Sequence, residues 1–328
     1  MTHEKILIER GARSGATIIV AVHSTARGPA IGGCRVAAYP DWREGLEDAL
    51  RLSAAMTGKA ALAGLPHGGG KTVVVAGRAS RELLHDVGDV IEGLGGAYAT
   101  GPDVGTGPGD MVTIGERTGH VFCRPAGAGG SGDSSVHTAE GTLAALRAIC
   151  GDDLGSRTFA VLGVGRVGSH ILRLLAEEGA TLIASDVDDR RKAHASGARW
   201  TDPDSCLTAE ADVLVPAALG GLLTPESVPR LRCAAVAGPA NNQLDAPDTA
   251  LMLHERGILW APDIVVGAGG IIHATAVELG HETPEAAAAR VRGIGATLTG
   301  ILAAARTRGT SPAEAARQRI QESLPHPT

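Results

Sequence analysis

Aromatic side chains are scarce: three tryptophans, two tyrosines and two phenylalanines stand in 328 residues. Without them there are no stacking platforms for single-stranded nucleic acid. Positive charge is not in excess, since 36 acidic residues face 30 basic ones and the net charge is -6. Nucleic acids and anionic membranes are therefore disfavoured as partners. No uninterrupted apolar run approaches the roughly 20 residues of a membrane span. The opening MTHEKILIERGARSG has no apolar signal core, which predicts a cytoplasmic protein. Five cysteines (Cys34, Cys123, Cys150, Cys206 and Cys233) form no CxxC pair, which argues against a disulfide framework or a structural zinc. None of the 12 histidines stands in HxxxH spacing, so no metal is expected. A Gly-x-Ser-x-Gly nucleophile elbow is also missing. Lysine is the rarest charge: Lys5, Lys59, Lys71 and Lys192 stand against 26 arginines. A lysine kept in such a background is a candidate for work arginine cannot do, such as losing a proton near neutral pH.

What is present suits a large soluble core, with 44% hydrophobic and 20% charged residues. The length predicts two domains of about 150 residues each. Thr17–Val22 reads as a strand. Asp41, with Glu44 in capping-box spacing, opens a helix whose face is Trp42, Leu46, Ala49 and Leu50. Thr72–Ala76 reads as a buried strand, and Ser80 caps a helix carrying Leu83, Val87, Val90 and Leu94 up to Gly95-Gly96. Residues 101–110 read as a turn-rich loop and 124–134 as a flexible glycine-rich stretch. From residue 157 strands alternate with helices: strands at 158–162, 181–185, 212–217, 234–238 and 258–261, with a helix over 166–178. This alternation predicts a parallel sheet covered on both faces. The tail reads as two helices, 283–306 and 312–322. The expected architecture is α/β with two domains separated by a cleft. Residues 1–136 form a mixed α/β substrate-binding and oligomerisation domain. Residues 137–306 form a Rossmann-type domain, and the C-terminal helix 307–328 is expected to pack back on the first.

Between the 158–162 strand and the helix after it lies Gly163-Val164-Gly165-Arg166-Val167-Gly168. The first glycine serves the tight turn, the second lets backbone approach a pyrophosphate, and the third lets helix pack on strand. The helix N-terminus then offers free N–H groups to phosphate. Asp186 ends the next strand 23 residues after Gly163, placed to accept hydrogen bonds from an adenosine ribose. A carboxylate there favours NAD over a cofactor bearing a 2′-phosphate, with Arg190 and Arg191 close by as a countervailing charge. Glycine is so common here, 46 residues, that the motif counts only because of its strand–loop–helix–strand–Asp context.

Half of the lysines fall within thirteen residues, in Met56-Thr-Gly-Lys59 and Leu65-Pro-His-Gly-Gly-Gly-Lys71. Three glycines before Lys71 suggest a backbone a ligand can approach closely. Two ammonium groups near each other disfavour one another's charge, and burial adds to this, so one can act as a base while the other binds an anion. Asp103, in Gly101-Pro-Asp103-Val-Gly, is by itself an ordinary turn residue. Opposite two lysines it becomes a proton carrier.

These segments resemble the amino-acid dehydrogenase family of glutamate, leucine, phenylalanine and valine dehydrogenases, most of all its shorter branched-chain and aromatic members. The resemblance runs from His23-Ser-Thr-Ala-Arg-Gly-Pro-Ala-Ile31-Gly32-Gly33-Cys34-Arg35 through both lysine segments, Gly-Pro-Asp103-Val and Gly129-Gly-Ser-Gly-Asp-Ser-Ser135. It continues through the glycine loop, Ala240-Asn241-Asn242-Gln-Leu244, Gly257-Ile-Leu-Trp-Ala-Pro-Asp263 and Gly267-Ala-Gly-Gly-Ile271. It implies reversible NAD-dependent oxidative deamination of an L-amino acid to a 2-oxo acid and ammonia, and exposed apolar faces in the first domain suggest a homo-oligomer. Lys59 would hold the α-carboxylate, Lys71 would activate the water or carbonyl oxygen, and Asp103 would shuttle the proton of the amine. Thr138 and Asn241 would serve the cofactor, and Asn242 the substrate. Ile31, Gly32, Gly33, Gly101, Ile271 and Ala274 would line the substrate's side chain. Ile31 stands where glutamate-specific members carry a lysine, so a distal carboxylate would lie unpaired there and an apolar substrate is expected. The small Gly101 and Ala274 suggest room for a large side chain, branched or aromatic. Three positions depart from the pattern: Gly267 for an asparagine, Cys34 for a threonine, and Pro239 for a small residue. Two other readings stay open on these residues. One is a reductase acting on an unusual 2-oxo acid or imine, and the other is a non-catalytic NAD-binding regulatory protein.

Overall fold

The computed structural model describes residues 3–218 and 220–323. They divide into two compact units, the first from the described residues of Met1–Asp133, Ala274–Pro284 and Ile320–Thr328, the second from Ser134–His273 and Glu285–Arg319.

The first unit opens with β1 (Lys5–Arg10), β2 (Thr17–Ser24), β3 (Ala30–Ala37), α1 (Trp42–Leu62) and β4 (Gly68–Val75). It continues with α2 (Arg81–Glu92), β5 (Tyr98–Pro102) and α3 (Pro108–Gly115). The strands order as β1-β2-β4-β3-β5. β2 runs antiparallel to β1 and β4, whereas β3 is parallel to β4 and β5. Alternation along β2 covers both faces of the sheet. Ile18, Val20 and Val22 join Leu83, Val87 and Ile91 of α2 and Met111 and Ile114 of α3. Ile19 and Ala21 pack instead with Ala49 of α1 and Val73 of β4, beside Leu46 and Leu50.

Local chemistry sets the helix starts. The Asp41 carboxylate accepts from the Arg43 N–H, so Asp41 is the N-cap, but the bond to Glu44 that would make a capping box is not the one formed. Ser80 caps α2 by accepting from the Leu83 N–H. The expected loop at 101–110 is mostly ordered: β5 runs to Pro102, and α3 starts at Pro108 with the Asp110 carboxylate accepting from the Gly107 N–H at 2.8 Å. With only eight residues, α3 has too few turns for a periodic signal.

The glycine-rich stretch 124–134 is also held. The Glu278 carboxylate accepts from the Cys123 N–H at 2.8 Å, the Ser131 N–H at 2.9 Å, the Ser131 hydroxyl at 2.7 Å and the Arg124 guanidinium at 3.1 Å. One buried charge replaces the side-chain packing the glycines lack.

The second unit contains α4 (Ser134–Cys150), β6 (Thr158–Leu162), α5 (Arg166–Glu177), β7 (Thr181–Ser185), β8 (Arg199–Trp200) and α6 (Pro203–Leu207). Then come β9 (Ala211–Pro216), β10 (Cys233–Val236), α7 (Thr249–Glu255), β11 (Leu259–Trp260) and α8 (Asp263–Val266). α9 (Gly269–Glu278) takes the chain from the second unit into the first, and α10 (Pro284–Arg292), α11 (Ile294–Arg308) and α12 (Pro312–Ser323) complete it. The sheet is parallel throughout in the order β11-β10-β9-β6-β7-β8, the doubly wound arrangement whose order reverses between β6 and β9. β8, two residues long, falls below any sequence signal. The tail helix expected over 283–306 is two helices, α10 and α11, broken at Gly293. Of the helix expected over 307–328, α12 accounts for Pro312–Ser323, and residues 324–328 lie outside the described residues.

Candidate active site

Lys71 sits within β4, not after a loop. The three glycines ahead of it are strand residues too. A methyl group at Gly69 would lie 2.1 Å from the backbone nitrogen of Thr57, and one at Gly70 would lie 2.5 Å from the Tyr98 ring. These glycines let helix α1 and Tyr98 close onto the strand, so the expected approach of a ligand to them is replaced by protein packing. Lys71 has the same strand parity as Gly69 and Val73, which places it on the sheet face covered by α1.

The Lys71 ammonium, on a side chain 7% exposed, donates to Asp103 Oδ2 at 2.5 Å. The same oxygen accepts from Arg35 Nε at 2.9 Å. Asp103 follows the end of β5, and its N–H donates to Thr106 Oγ1, whose hydroxyl in turn donates to the Cys34 carbonyl at 2.7 Å. Those bonds lock the loop so that the carboxylate turns toward β4. Burial pushes Lys71 below the ordinary lysine range against the pull of Asp103, and the nearby Arg35 charge pushes the same way as burial. Burial would raise Asp103, but the Lys71 and Arg35 cations outweigh it and hold its carboxyl below the usual range. Arg35 is thus a cation acting on Lys71 that the sequence does not single out. One arginine among 26 gives no such signal in advance. Cys34, fully buried, is pushed up to about 12 by that burial and is no nucleophile.

Lys59 lies half-buried in the last turn of α1, the helix whose Thr57 meets Gly69. Ile31 is fully buried in β3 opposite Gly69 and Ala99. Gly32 has the Gly70 carbonyl against it, and Gly33 pairs with Gly101 and faces Asp103 and the Lys71 ammonium. Gly101 does not leave open room. A methyl there would lie 2.6 Å from the Phe122 ring, itself only 3% exposed, so the expectation of free space at Gly101 is corrected by a residue not singled out from the sequence. Ala274 is buried and Ile271 half-buried, three residues apart on α9.

In the second unit the glycine loop has the predicted form. Gly163 adopts φ +107°, which only glycine takes readily, and a methyl at Gly168 would lie 1.9 Å from the Gly163 carbonyl oxygen. Gly165 is the N-cap of α5, followed by Arg166 and Val167 in its first turn. Asp186 Oδ2 accepts from the Val164 N–H at 2.7 Å, and Oδ1 from the Asp188 N–H at 3.0 Å. Arg190 is bound to Asp188, while Arg191 lies 3.7 Å from Asp186. A helix N-terminus behind a turn built on Gly163, Gly165 and Gly168, with a carboxylate fixed beside it, fits a dinucleotide with a free ribose hydroxyl.

Thr138, in the second turn of α4, donates to the Ser134 carbonyl, and a methyl at Gly270 would lie 2.7 Å from its hydroxyl oxygen. Asn241 and Asn242 are exposed in the loop after β10, and Asn242 takes a left-handed φ of +54°. The buried Gln243 anchors that loop, donating to the carbonyls of Gly238 and Ala240 and accepting from the Trp260 indole. Two of the departures from the family pattern touch: a methyl at Gly267 would lie 2.9 Å from the Pro239 carbonyl oxygen.

Comparison with known proteins agrees across the chain. The family model described as Glu/Leu/Phe/Val dehydrogenase, dimerisation domain, matches residues 3–120, and the one described as Glutamate/Leucine/Phenylalanine/Valine dehydrogenase matches residues 185–283. The NAD binding domain of D-isomer specific 2-hydroxyacid dehydrogenases matches residues 131–221. The chain is 40% identical to the leucine dehydrogenase of Geobacillus stearothermophilus over 83% of its length and 77% of the relative's. It is also 40% identical to the valine dehydrogenase of Streptomyces coelicolor, over 99% of its length and 94% of the relative's. The crystal structure of L-tryptophan dehydrogenase from Nostoc punctiforme superposes with a TM-score of 0.88 at 33% identity, covering 98% of this chain and 96% of that one. The chain belongs to the Glu/Leu/Phe/Val dehydrogenase family of NAD-dependent amino-acid dehydrogenases.

Proposed function

We propose that this protein carries out the reversible oxidative deamination of an apolar L-amino acid, branched-chain or aromatic, to its 2-oxo acid and ammonia. The observation that carries the reading is the buried Lys71–Asp103 pair at 2.5 Å in a chain with four lysines. Gly163, Val164, Gly165, Arg166, Val167 and Gly168 would hold the NAD pyrophosphate, Asp186 its ribose, and Thr138 and Asn241 its nicotinamide end. When bound, NAD accepts the hydride of the substrate α-carbon.

The chain's own residues do the rest. Lys59 pairs with the α-carboxylate. Asp103, a carboxylate at rest, takes a proton from the substrate ammonium before the hydride leaves. Lys71, whose lowered proton affinity lets it give up its own proton to solvent, takes one from the water that adds to the iminium carbon. Asp103 returns its proton to the departing amine nitrogen. As the carbon–nitrogen bond breaks, Asp103 takes the proton of the hydroxyl that becomes the carbonyl and passes it to the leaving ammonia. Both cations stabilise negative charge on oxygen as it develops. Ile31, Gly32, Gly33, Gly101, Asn242, Ile271 and Ala274 are the residues assigned to substrate binding, with the Phe122 ring packed against Gly101. A glutamate side chain would leave its distal carboxylate beside Ile31 without a partner.

NADH formation with a panel of L-amino acids, with NADP in parallel, tests this. Turnover of leucine, valine, phenylalanine or tryptophan with NAD is expected. Turnover confined to glutamate would refute the Ile31 argument, and NAD binding without turnover of any amino acid would favour a regulatory protein. We further propose a homo-oligomer in the cytoplasm. The N-terminal match is to a dimerisation domain, edge strand β1 exposes Ile8, and all five cysteines are free.

A further inference from the structure

Among the described residues, Arg35 is the arginine bonded to the Lys71–Asp103 pair, and it is shared. Its Nε donates to Asp103 Oδ2 at 2.9 Å, and another arm of the same guanidinium donates to Asp48 Oδ2 at 2.5 Å. Asp48 Oδ2 also accepts from the Tyr39 hydroxyl at 2.7 Å, and Asp48 Oδ1 accepts from Arg51 at 2.6 Å. Arg35, Tyr39, Asp48 and Arg51 line a cavity of about 570 Å³ together with Glu44 and Glu47. A guanidinium is planar and permanently charged, so it can hold two carboxylates at a fixed spacing, which an ammonium on a flexible stem cannot.

We propose that Arg35 is a positioning residue that sets the proton affinity of the Lys71–Asp103 pair, and that Asp48 governs how much of its charge reaches that pair. The inference rests on the reading that Lys71 and Asp103 move the protons of the reaction. Among the groups acting on the pair are Cys34 and Arg35 from β3 and the buried Tyr98 from β5, with Asp110 of α3 acting on Cys34. Those facing Arg35 from its other side are Tyr39 and, from α1, Glu44, Glu47, Asp48 and Arg51. Both protons of the pair feel Arg35 with the same sign. Its positive charge disfavours the ammonium form of Lys71 and favours the carboxylate form of Asp103, so losing it raises both proton affinities. Losing Asp48 leaves Arg35 less neutralised and lowers both.

Opposite displacements by two neighbouring residues are the signature, since a purely structural contact has no reason to give them. The test measures kcat/KM against pH for the L-amino acid that the wild type turns over fastest. Arg35→Gln is expected to move the acid limb by about one pH unit toward alkali. Asp48→Asn is expected to move it by a smaller amount toward acid. Arg35→Lys, which keeps the charge and loses the fork, should keep the limb near its wild-type position with a lower kcat. A second readout uses the ligand-free protein: acetylation of Lys71 by an N-hydroxysuccinimide ester, quantified by peptide mass spectrometry. At a fixed pH below the Lys71 titration, the rate follows the small unprotonated fraction of the amine. Arg35→Gln should therefore slow acetylation about tenfold if the titration midpoint rises by about one pH unit, and Asp48→Asn should speed it. If Arg35→Gln does not fold, the Asp48→Asn and Arg35→Lys proteins decide the matter by the same measurements. Unmoved profiles, or displacements in the same direction, overturn the proposal. A wild type that turns over no amino acid, or full activity in Lys71→Ala, overturns the functional reading instead, and the acetylation rates still decide the Arg35 coupling.

Discussion

The two units handle charge in opposite ways. In the first, the chemistry sits in side chains: a buried ammonium and a guanidinium, each within 3 Å of one carboxylate oxygen, drawn from three different strands or strand ends. In the second, it sits in the backbone, with the N–H groups of a helix start and three glycines, Gly163, Gly165 and Gly168, against which the protein packs closely. The first arrangement is costly to bury and is held only by its partners. The second is carried by backbone and tolerates neighbours but no added carbon. A substitution should therefore damage one function of the enzyme and spare the other.

That separation can be broken in graded ways. The largest effect expected is Lys71→Ala, which should lower kcat/KM by about 10³- to 10⁴-fold while leaving the affinity for NAD, measured by calorimetry, unchanged. Loss of NAD binding in that variant would end the division of labour. Gly168→Val is the mirror case. The branched carbon meets the Gly163 carbonyl, so NAD affinity should fall by about two orders of magnitude or more, while the acetylation rate of Lys71 stays at the wild-type value. Lys59→Ala should chiefly raise KM for the amino acid, by about tenfold to a hundredfold, with kcat less affected. Phe122→Ala should have the smallest effect, a few-fold change in kcat/KM ratio toward the bulkier of two apolar substrates, read by competition. An unchanged ratio would mean that the ring does not wall the substrate.

The same contrast explains what can be read in advance. The dinucleotide loop is local, so its strand, glycines, helix and aspartate are legible in order along the chain, and β6 and β7 lie at the residues expected. Lys71 and Asp103 stand out through scarcity and through a Gly/Pro setting, but their pairing depends on β3, β4 and β5 lying side by side. Arg35 gives no signal of its own in an arginine-rich chain. The glycines at 68–70 look the same in sequence whether a ligand or a helix approaches them, and only the Thr57 contact tells which. Phe122 and Glu278 act on distant partners, Gly101 and the 123–131 segment, where periodicity carries no information. Helix α3 and strand β8 are too short to register.

The carboxylate of Glu278 also bears on how the polypeptide is made. The loop it binds leaves the ribosome some 150 residues before it does, so the amino-terminal unit emerges with its glycine-rich segment still untied. That unit cannot mature at the pace of its own synthesis and must wait for the rest of the chain. A recombinant fragment that stops at residue 133 would lack the anchor altogether.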